Sequence, residues 1–172
     1  RIGQTVAGLM VQPEGPQLVA LSAEGFDTHA NQGAAQGVLA NRLAYLDSLA
    51  EGLREGLGAQ WSKTVVVFAT EFGRTARVNG TGGTDHGTGG AMLLAGGALR
   101  GGRVAGQWPG IARGELYQDR DLHATTDLRG VFKGVLAAHL GVGESALETR
   151  VFPDSGKAVP VENLVARTRA AA

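Results

Sequence analysis

Cysteine is absent from this 172-residue sequence, and its absence excludes disulfide bonds and thiolate metal sites. Any metal site must therefore use oxygen atoms and imidazole nitrogens as ligands. No apolar run approaches the roughly 20 residues that a membrane-spanning helix needs, so we expect no membrane span in this chain. The 16 Lys and Arg residues are balanced by 16 Asp and Glu residues, and this balance favours neither a nucleic-acid partner nor a membrane-surface partner.

What the chain does have is a hydrophobic content of 43% over a length that can bury one core. These two properties predict a single domain over residues 1–172. The sequence begins at Arg1, without a methionine, and enters a helix-like segment at once. We therefore expect that an N-terminal portion of the protein precedes residue 1.

Hydrophobic periodicity in the first half of the chain predicts an α/β fold. Residues 2–12 have apolar side chains at helical spacing, and residues 18–24 form an apolar run that is typical of a buried strand. A stripe of leucines predicts a helix over residues 37–57, which is expected to end at Gly58. Residues 64–70 are predicted to form a second buried strand. The order strand, helix, strand indicates a right-handed parallel crossover within one sheet.

The second half of the chain continues this alternation. Residues 91–97 predict a third short strand, after which a turn-rich segment follows. A helix is predicted over residues 128–140, with Asp127 as its N-cap and Gly141 as its stop. Another short helix is predicted over residues 143–150.

Two loops that follow the predicted strands hold most of the side chains able to do chemistry. The first loop carries Glu24, Asp27 and His29, and the second carries Glu71, Arg74, Asp85 and His86. In open α/β sheets, ligands gather outside the carboxyl ends of the strands. We therefore expect the two sets to converge at one edge of the sheet.

The residue types in these loops predict a metal site. Carboxylates and imidazoles are the usual ligands of zinc and similar divalent ions when cysteine is absent. Asp27 and His29 are separated by one residue, so their side chains fall on the same side of an extended segment, and flexible glycines around Asp85 and His86 allow that pair to reach the same ion. Arg74 is predicted to bind an oxyanion. A metal ion with an arginine beside it suits a small anionic partner, a phosphate or sulfate ester.

Simpler explanations exist for each of these features. An Asp-x-His sequence is often a turn with a local hydrogen bond, and Asp85 is also typical of a cap or an Asx turn. Glu71 and Arg74 are spaced to form a surface ion pair. The glycine run has no Walker-type ending and is also compatible with a flexible loop tip. His123 and His139 are interpreted as structural residues outside the site, His139 because it lies near the end of a predicted helix.

Several motifs taken together resemble a known bacterial family. In chain order they are GFDTHANQ, VVVFATEFGRT, GGTDHGTGGAMLLAGG, GGRVAGQWPG and TTDLRGVF. They resemble the C-terminal half of DUF1501, a domain-of-unknown-function family that is placed in the alkaline phosphatase and sulfatase-like superfamily. The resemblance covers roughly residues 1–141.

The resemblance implies an alkaline phosphatase-like α/β fold, a layered sheet with helices on both faces, of which this chain is the C-terminal portion. It implies a divalent metal, with zinc expected first and calcium, manganese or magnesium as alternatives, and a periplasmic or secreted location. Asp27 and His29 match the positions that hold the first ion in the superfamily, and His86 matches the histidine that completes its shell. Glu71 stands where an Asp-His pair binds a second ion, but the next residue, Phe72, cannot ligate.

Two functions are predicted as alternatives, because the superfamily's Ser or Thr nucleophile precedes these motifs and nothing before Glu24 resembles it. The first is a metal-dependent hydrolase of phosphate or sulfate esters, in which Arg74 binds the anion. The second is a non-catalytic binding or export-associated protein that retains the fold. In either case, we expect the 172-residue chain to show little or no ester hydrolysis, because no motif in it supplies an activated hydroxyl.

Overall fold

Helices and short antiparallel strand pairs make up the regular structure of the chain, and the computed structural model describes residues 2–166. The elements, in chain order, are α1 (Ile2–Met10), α2 (Val38–Leu57), a 3₁₀ turn (Gly58–Lys63), β1 (Val66–Phe68), β2 (Gly73–Arg74), β3 (His86–Gly87), β4 (Leu93–Ala95), α3 (Leu128–Leu140), α4 (Glu144–Ala146) and a π-helical turn (Leu147–Val151). None of the helices within residues 2–166 has the length and apolar composition needed to cross a bilayer.

The chain divides into two compact units. The first contains the described residues up to Trp61 together with Thr70–Ala91 and Pro109–His123, and the second contains Ser62–Ala69, Met92–Trp108 and the described residues from Ala124 onward. The prediction of a single domain over residues 1–172 stays a prediction.

The first unit is built on the packing of α1 against α2. Leu49, Leu53 and Leu57 of α2 are buried, whereas Leu43 is 47% exposed, so the leucine stripe packs through its C-terminal half. The two backbones approach closely at Gly3, where a Cβ would lie 2.3 Å from the carbonyl oxygen of Leu49. Both helices were predicted from their periodicity, and both are confirmed.

The strands form two separate antiparallel pairs. The register of β1 with β4 is Val66↔Ala95, Val67↔Leu94 and Phe68↔Leu93, and the register of β2 with β3 is Gly73↔Gly87 and Arg74↔His86. The strands predicted over residues 64–70 and 91–97 are therefore present in shortened form. The layered sheet with helices on both faces stays a prediction.

The strand predicted over residues 18–24 is wrong, and the parallel crossover falls with it. These residues form no strand, and Leu18 and Leu21 are 76% and 51% exposed. Within the described part of the chain, the backbone of residues 16–25 makes no hydrogen bond to another backbone group. An apolar run becomes a buried strand only when a neighbouring strand pairs with its backbone, and β1 pairs with β4 instead.

Helix α3, in the second unit, is bounded as its sequence predicts. The Asp127 side chain accepts a hydrogen bond from the backbone N–H of Arg129, and Gly141 ends the helix in a left-handed conformation with φ of 67°. Glycine adopts this conformation without the penalty that a Cβ brings. The prediction of a capped helix over residues 128–140 is confirmed.

Replacing Asp127 by alanine is expected to lower the free energy of unfolding by about 0.5–2 kcal/mol, because the helix loses its N-cap. Asp127→Asn keeps the cap and should cost less. The pKa of Asp127 is lowered from its usual 3.8, chiefly by the hydrogen bond from the Arg129 side chain. The carboxylate's contribution is therefore complete above about pH 3.8 and is lost as the pH falls through the lower, folded-state value. Urea unfolding at pH 7 and at pH 3 measures both effects, and equal stabilities of wild type and Asp127→Ala at pH 7 would contradict the prediction.

A fully buried lysine stands inside the second unit. Lys133 of α3 has 0% relative exposure, and its Nζ donates to Glu148 Oε1 at 2.5 Å, to the Ser155 carbonyl at 2.8 Å and to the Ala158 carbonyl at 3.1 Å. These three acceptors come from the π-helical turn and from the segment after it. Lys133 thereby joins α3 to the segment 148–158.

Candidate metal centre

Three predicted ligands meet at one point in the first unit. One ligand atom from each of Asp27, His29 and His86 lies within 4.8 Å of the other two, and all three residues are exposed. The ring centroids of His29 and His86 are 4.9 Å apart. Atoms that each lie about 2 Å from a zinc ion must be this close to one another, so the predicted convergence of these three side chains is confirmed.

Pairing between two loops produces this convergence. The segment 28–32 runs beside the loop 79–84 and exchanges backbone hydrogen bonds with it. These bonds are Asn31 N–H to Thr81 O at 3.0 Å, Gln32 N–H to Gly82 O at 2.9 Å and Thr84 N–H to Thr28 O at 3.2 Å. The loops are therefore brought together by their own backbones and not by the ends of parallel strands.

Glycine is required at one position of this contact. A Cβ on Gly83 would lie 2.2 Å from the carbonyl carbon of His29 and 2.5 Å from the backbone nitrogen of Ala30. Any side chain at Gly83 would therefore push the loop away from His29. By contrast, a Cβ on Gly80 of the same loop would meet nothing within 4 Å. Close packing therefore explains the glycine at position 83 but not the one at position 80.

Arg74 links the loop 79–84 to the residues just before the segment 28–32. Its Nη1 donates to Thr84 O at 2.6 Å, and its Nη2 donates to Phe26 O at 2.7 Å and to Asp27 Oδ1 at 2.9 Å. Its side chain is only 21% exposed. These bonds make Arg74 a support for Asp27, and its predicted role in anion binding stays a prediction.

Phe72 packs against one of the ligands. Its ring stacks on the His86 imidazole with centroids 4.3 Å apart and planes 10° from parallel, and His86 Nε2 lies 2.8 Å from Asp27 Oδ1. The stack fixes the plane of the His86 imidazole and therefore the direction in which its Nε2 atom faces Asp27. In the sequence, Phe72 was notable only as a residue that cannot ligate, and nothing there indicated this packing role.

Asp85, a predicted ligand, contacts the ring nitrogen of His29 that does not face Asp27. His29 Nδ1 lies 3.1 Å from Asp85 Oδ1, whereas His29 Nε2 lies 3.0 Å from Asp27 Oδ1. Asp85 Oδ1 also accepts from Asn79 Nδ2 at 2.9 Å. The hydrogen bond to His29, followed by that from Asn79, lowers the pKa of Asp85. Sequence reasoning missed Asn79, although an asparagine directly before a glycine is a recognised sign of a hydrogen-bonded turn.

Glu71, the remaining predicted ligand, is exposed and lies outside the group of three. Within residues 2–166, no second group of three His, Asp or Glu side chains has ligand atoms this close together. His123 stands apart from the group as well, with its ring edge against Tyr117 at 5.8 Å between centroids. The sequence therefore predicted three side chains that the structure brings together, and the structure does not bring Glu71 to them.

The neighbours of Asp27 favour its ionised form. The hydrogen bond from His86 is the main cause that lowers the pKa of Asp27, and the charges of both histidines and the Arg74 hydrogen bond act in the same direction. Both nitrogens of His29 face carboxylate oxygens, yet a neutral imidazole has only one N–H to donate. A second proton on the ring satisfies both oxygens, and so would a metal ion beside the other nitrogen. Two imidazoles with one carboxylate are a ligand set that zinc accepts.

Comparison with known proteins places these residues in a family. A family model described as "Protein of unknown function (DUF1501)" matches residues 2–149, a range that includes every residue of the cluster. Comparisons with curated proteins and with solved structures gave no match.

Proposed function

The chain belongs to the DUF1501 family of proteins of unknown function, and from its site we propose that it binds one divalent metal ion and acts as a metal-dependent hydrolase of phosphate or sulfate esters. The observation that carries this proposal is the convergence of Asp27, His29 and His86, whose ligand atoms lie within 4.8 Å of one another. The resemblance of the motifs to the alkaline phosphatase and sulfatase-like superfamily supports the same class of reaction.

The ligand set favours zinc. Imidazole nitrogens suit zinc and other late transition metals, whereas calcium and magnesium prefer ligands that are all oxygen. Three protein ligands also leave a coordination position open, as catalytic zinc sites do and closed structural sites do not. We therefore expect zinc to bind more tightly than manganese, and magnesium and calcium to bind weakly.

The exposure of the cluster allows a substrate to reach it. Asp27, His29 and His86 are each exposed, and the side chains behind them hold them in place. A bound divalent ion would polarise an ester oxygen and offset charge that develops on it. The Arg74 guanidinium lies beside Asp27 and adds positive charge, which favours an anionic ester over a neutral one.

A second candidate function is that of a non-catalytic binding protein that retains the fold. The observation that favours it is that the threonine hydroxyls around the cluster already donate hydrogen bonds to neighbouring oxygens. Thr28 and Thr84 both donate to Gln32 Oε1 at 2.8 Å, Thr81 donates to the His29 carbonyl at 2.8 Å, and Thr75 donates to the Arg77 carbonyl at 3.1 Å. A covalent route needs a hydroxyl that a base activates, and none of these four contacts provides a base other than an amide or carbonyl oxygen.

Metal binding is tested by titrating the purified, metal-stripped chain with zinc against a chromophoric chelator. Wild type is expected to bind one equivalent, and His86→Ala is expected to weaken binding by at least the roughly 10–100-fold that loss of a supporting partner already costs. His123→Ala is the matched control and should bind as wild type does. Absence of zinc binding by wild type, or equal binding by wild type and His86→Ala, would overturn the metal site.

Turnover is tested separately with aryl phosphate and aryl sulfate substrates in the presence of zinc, manganese, magnesium or calcium. Zinc-dependent turnover that His86→Ala abolishes and His123→Ala preserves would support the hydrolase. Zinc binding without turnover is the result expected of the 172-residue chain alone, because its motifs supply no activated hydroxyl. Absence of turnover also from a longer form that carries an upstream Ser or Thr nucleophile would favour the non-catalytic candidate.

A further inference from the structure

The two ring nitrogens of His29 face two different carboxylates. Nε2 lies 3.0 Å from Asp27 Oδ1, the same oxygen that His86 Nε2 approaches to 2.8 Å, and Nδ1 lies 3.1 Å from Asp85 Oδ1. Asp85 does not belong to the converging group. Asp27 therefore contacts His29 as a member of the converging group, whereas Asp85 contacts it from outside that group.

From this arrangement we infer that Asp85 is a positioning residue, which accepts the Nδ1 proton of His29 and so leaves Nε2 free to bind the metal. The inference rests on the proposed metal site. A neutral imidazole carries one proton, and the hydrogen bond made by one nitrogen decides which of the two holds it. With the proton directed to Asp85, the lone pair lies on the nitrogen that faces Asp27 and His86.

A rigid support holds Asp85 in place. The Asn79 amide donates to Asp85 Oδ1 at 2.9 Å and to the His29 carbonyl at 2.9 Å, so it holds both partners at once. The backbone N–H of Asp85 donates to Thr75 Oγ1 at 3.2 Å, and the backbone N–H of Thr75 donates to the Asp85 carbonyl at 3.0 Å.

The Asn79 side chain is itself fixed by the loop. Its Oδ1 accepts from the backbone N–H of Thr81 at 3.0 Å and from the backbone N–H of Gly83 at 3.0 Å. Because its oxygen is held by two backbone donors, the amide nitrogen has a single orientation, which faces Asp85 and His29. The loop 79–83 is thus a frame that sets the orientation of the Asp85 carboxylate.

The inference predicts a graded effect on metal affinity. Asp85→Ala removes the acceptor and is expected to weaken zinc binding about 10–100-fold, as the loss of such partners does at other metal sites. Asp85→Asn keeps an oxygen that can accept the Nδ1 proton, so it should bind zinc more tightly than Asp85→Ala. Asp47→Ala, at an exposed position on α2, is the matched control and should not change the affinity.

The experiment combines zinc titration of these 172-residue chains with long-range ¹⁵N–¹H spectra of their histidine rings. In the metal-free form, wild type is expected to hold the His29 proton on Nδ1, and Asp85→Ala should lose that preference while its thermal unfolding stays close to that of wild type. Zinc binding by wild type with unchanged affinity in Asp85→Ala would overturn the positioning role alone. A wild-type His29 protonated on Nε2 would also overturn it, and failure of wild type to bind zinc would overturn the metal site and this role together.

Discussion

Replacement of Lys133 by alanine is expected to lower the free energy of unfolding by about 3–5 kcal/mol, the range found when one partner of a buried ion pair is removed. The Lys133 ammonium is fully buried and donates to Glu148 Oε1, Ser155 O and Ala158 O. The variant would leave two backbone carbonyls and a half-buried carboxylate without their donor. It would also lose the apolar contacts of the lysine stem. Chemical unfolding followed by circular dichroism measures the difference.

Lys157→Ala is the matched control, because Lys157 lies in the same segment of the chain but is exposed. Surface substitutions of this kind change stability by no more than about 0.5 kcal/mol. Glu148→Gln keeps an acceptor for the ammonium and should cost less than Lys133→Ala. If Lys133→Ala were no less stable than Lys157→Ala, the contacts of the buried ammonium would not hold α3 to the segment 148–158.

Replacement of Gly83 by alanine is expected to cost about 3 kcal/mol or more, at the upper end of the range for overpacked sites, and to abolish zinc binding. The added Cβ would lie 2.2 Å from the His29 carbonyl carbon and 2.3 Å from its oxygen. Both are backbone atoms, which cannot rotate away as a side chain does. The loop would have to separate from His29, and the Asn79 and Thr81 contacts with the His29 carbonyl would be lost with it.

Gly80→Ala provides the comparison, since a Cβ there would meet nothing within 4 Å. Its stability and zinc affinity should stay close to those of wild type, and thermal unfolding with zinc titration of both variants compares the two positions. Full zinc binding by Gly83→Ala would show that the close contact between the loop and His29 is not needed for the site.

Local sequence signals predicted the elements whose stability is local. The bounds of α3 follow from Asp127 and Gly141, which satisfy the helix ends within a few residues of themselves. The leucine stripe of α2 likewise predicted a helix, although not which leucines are buried. The strand predicted over residues 18–24 is wrong because an apolar run forms a strand only when a second strand pairs with it. The sequence does not say which segment pairs with which.

The candidate site was predicted for a reason that proved incorrect. Asp27, His29 and His86 do converge, but the parallel strands that were expected to bring them together are not formed. The sequence shows which residues are of types that bind metals, but it does not show which other residues hold them in position. That support depends on Arg74, Asn79 and Gly83, whose contacts join residues about 50 positions apart in the chain.

The contact between Asp27 and His86 joins positions separated by 59 residues, so the site also closes a long loop of the chain. Loop closure lowers chain entropy, at a cost that grows with the logarithm of loop length. An ion held by both residues would act as a removable cross-link, binding the folded chain and not the unfolded one. At a free concentration 100 times its dissociation constant, such an ion would add about 2.7 kcal/mol to the free energy of unfolding. Metal supply would then set how long the folded chain resists proteolysis, whether or not any ester is hydrolysed.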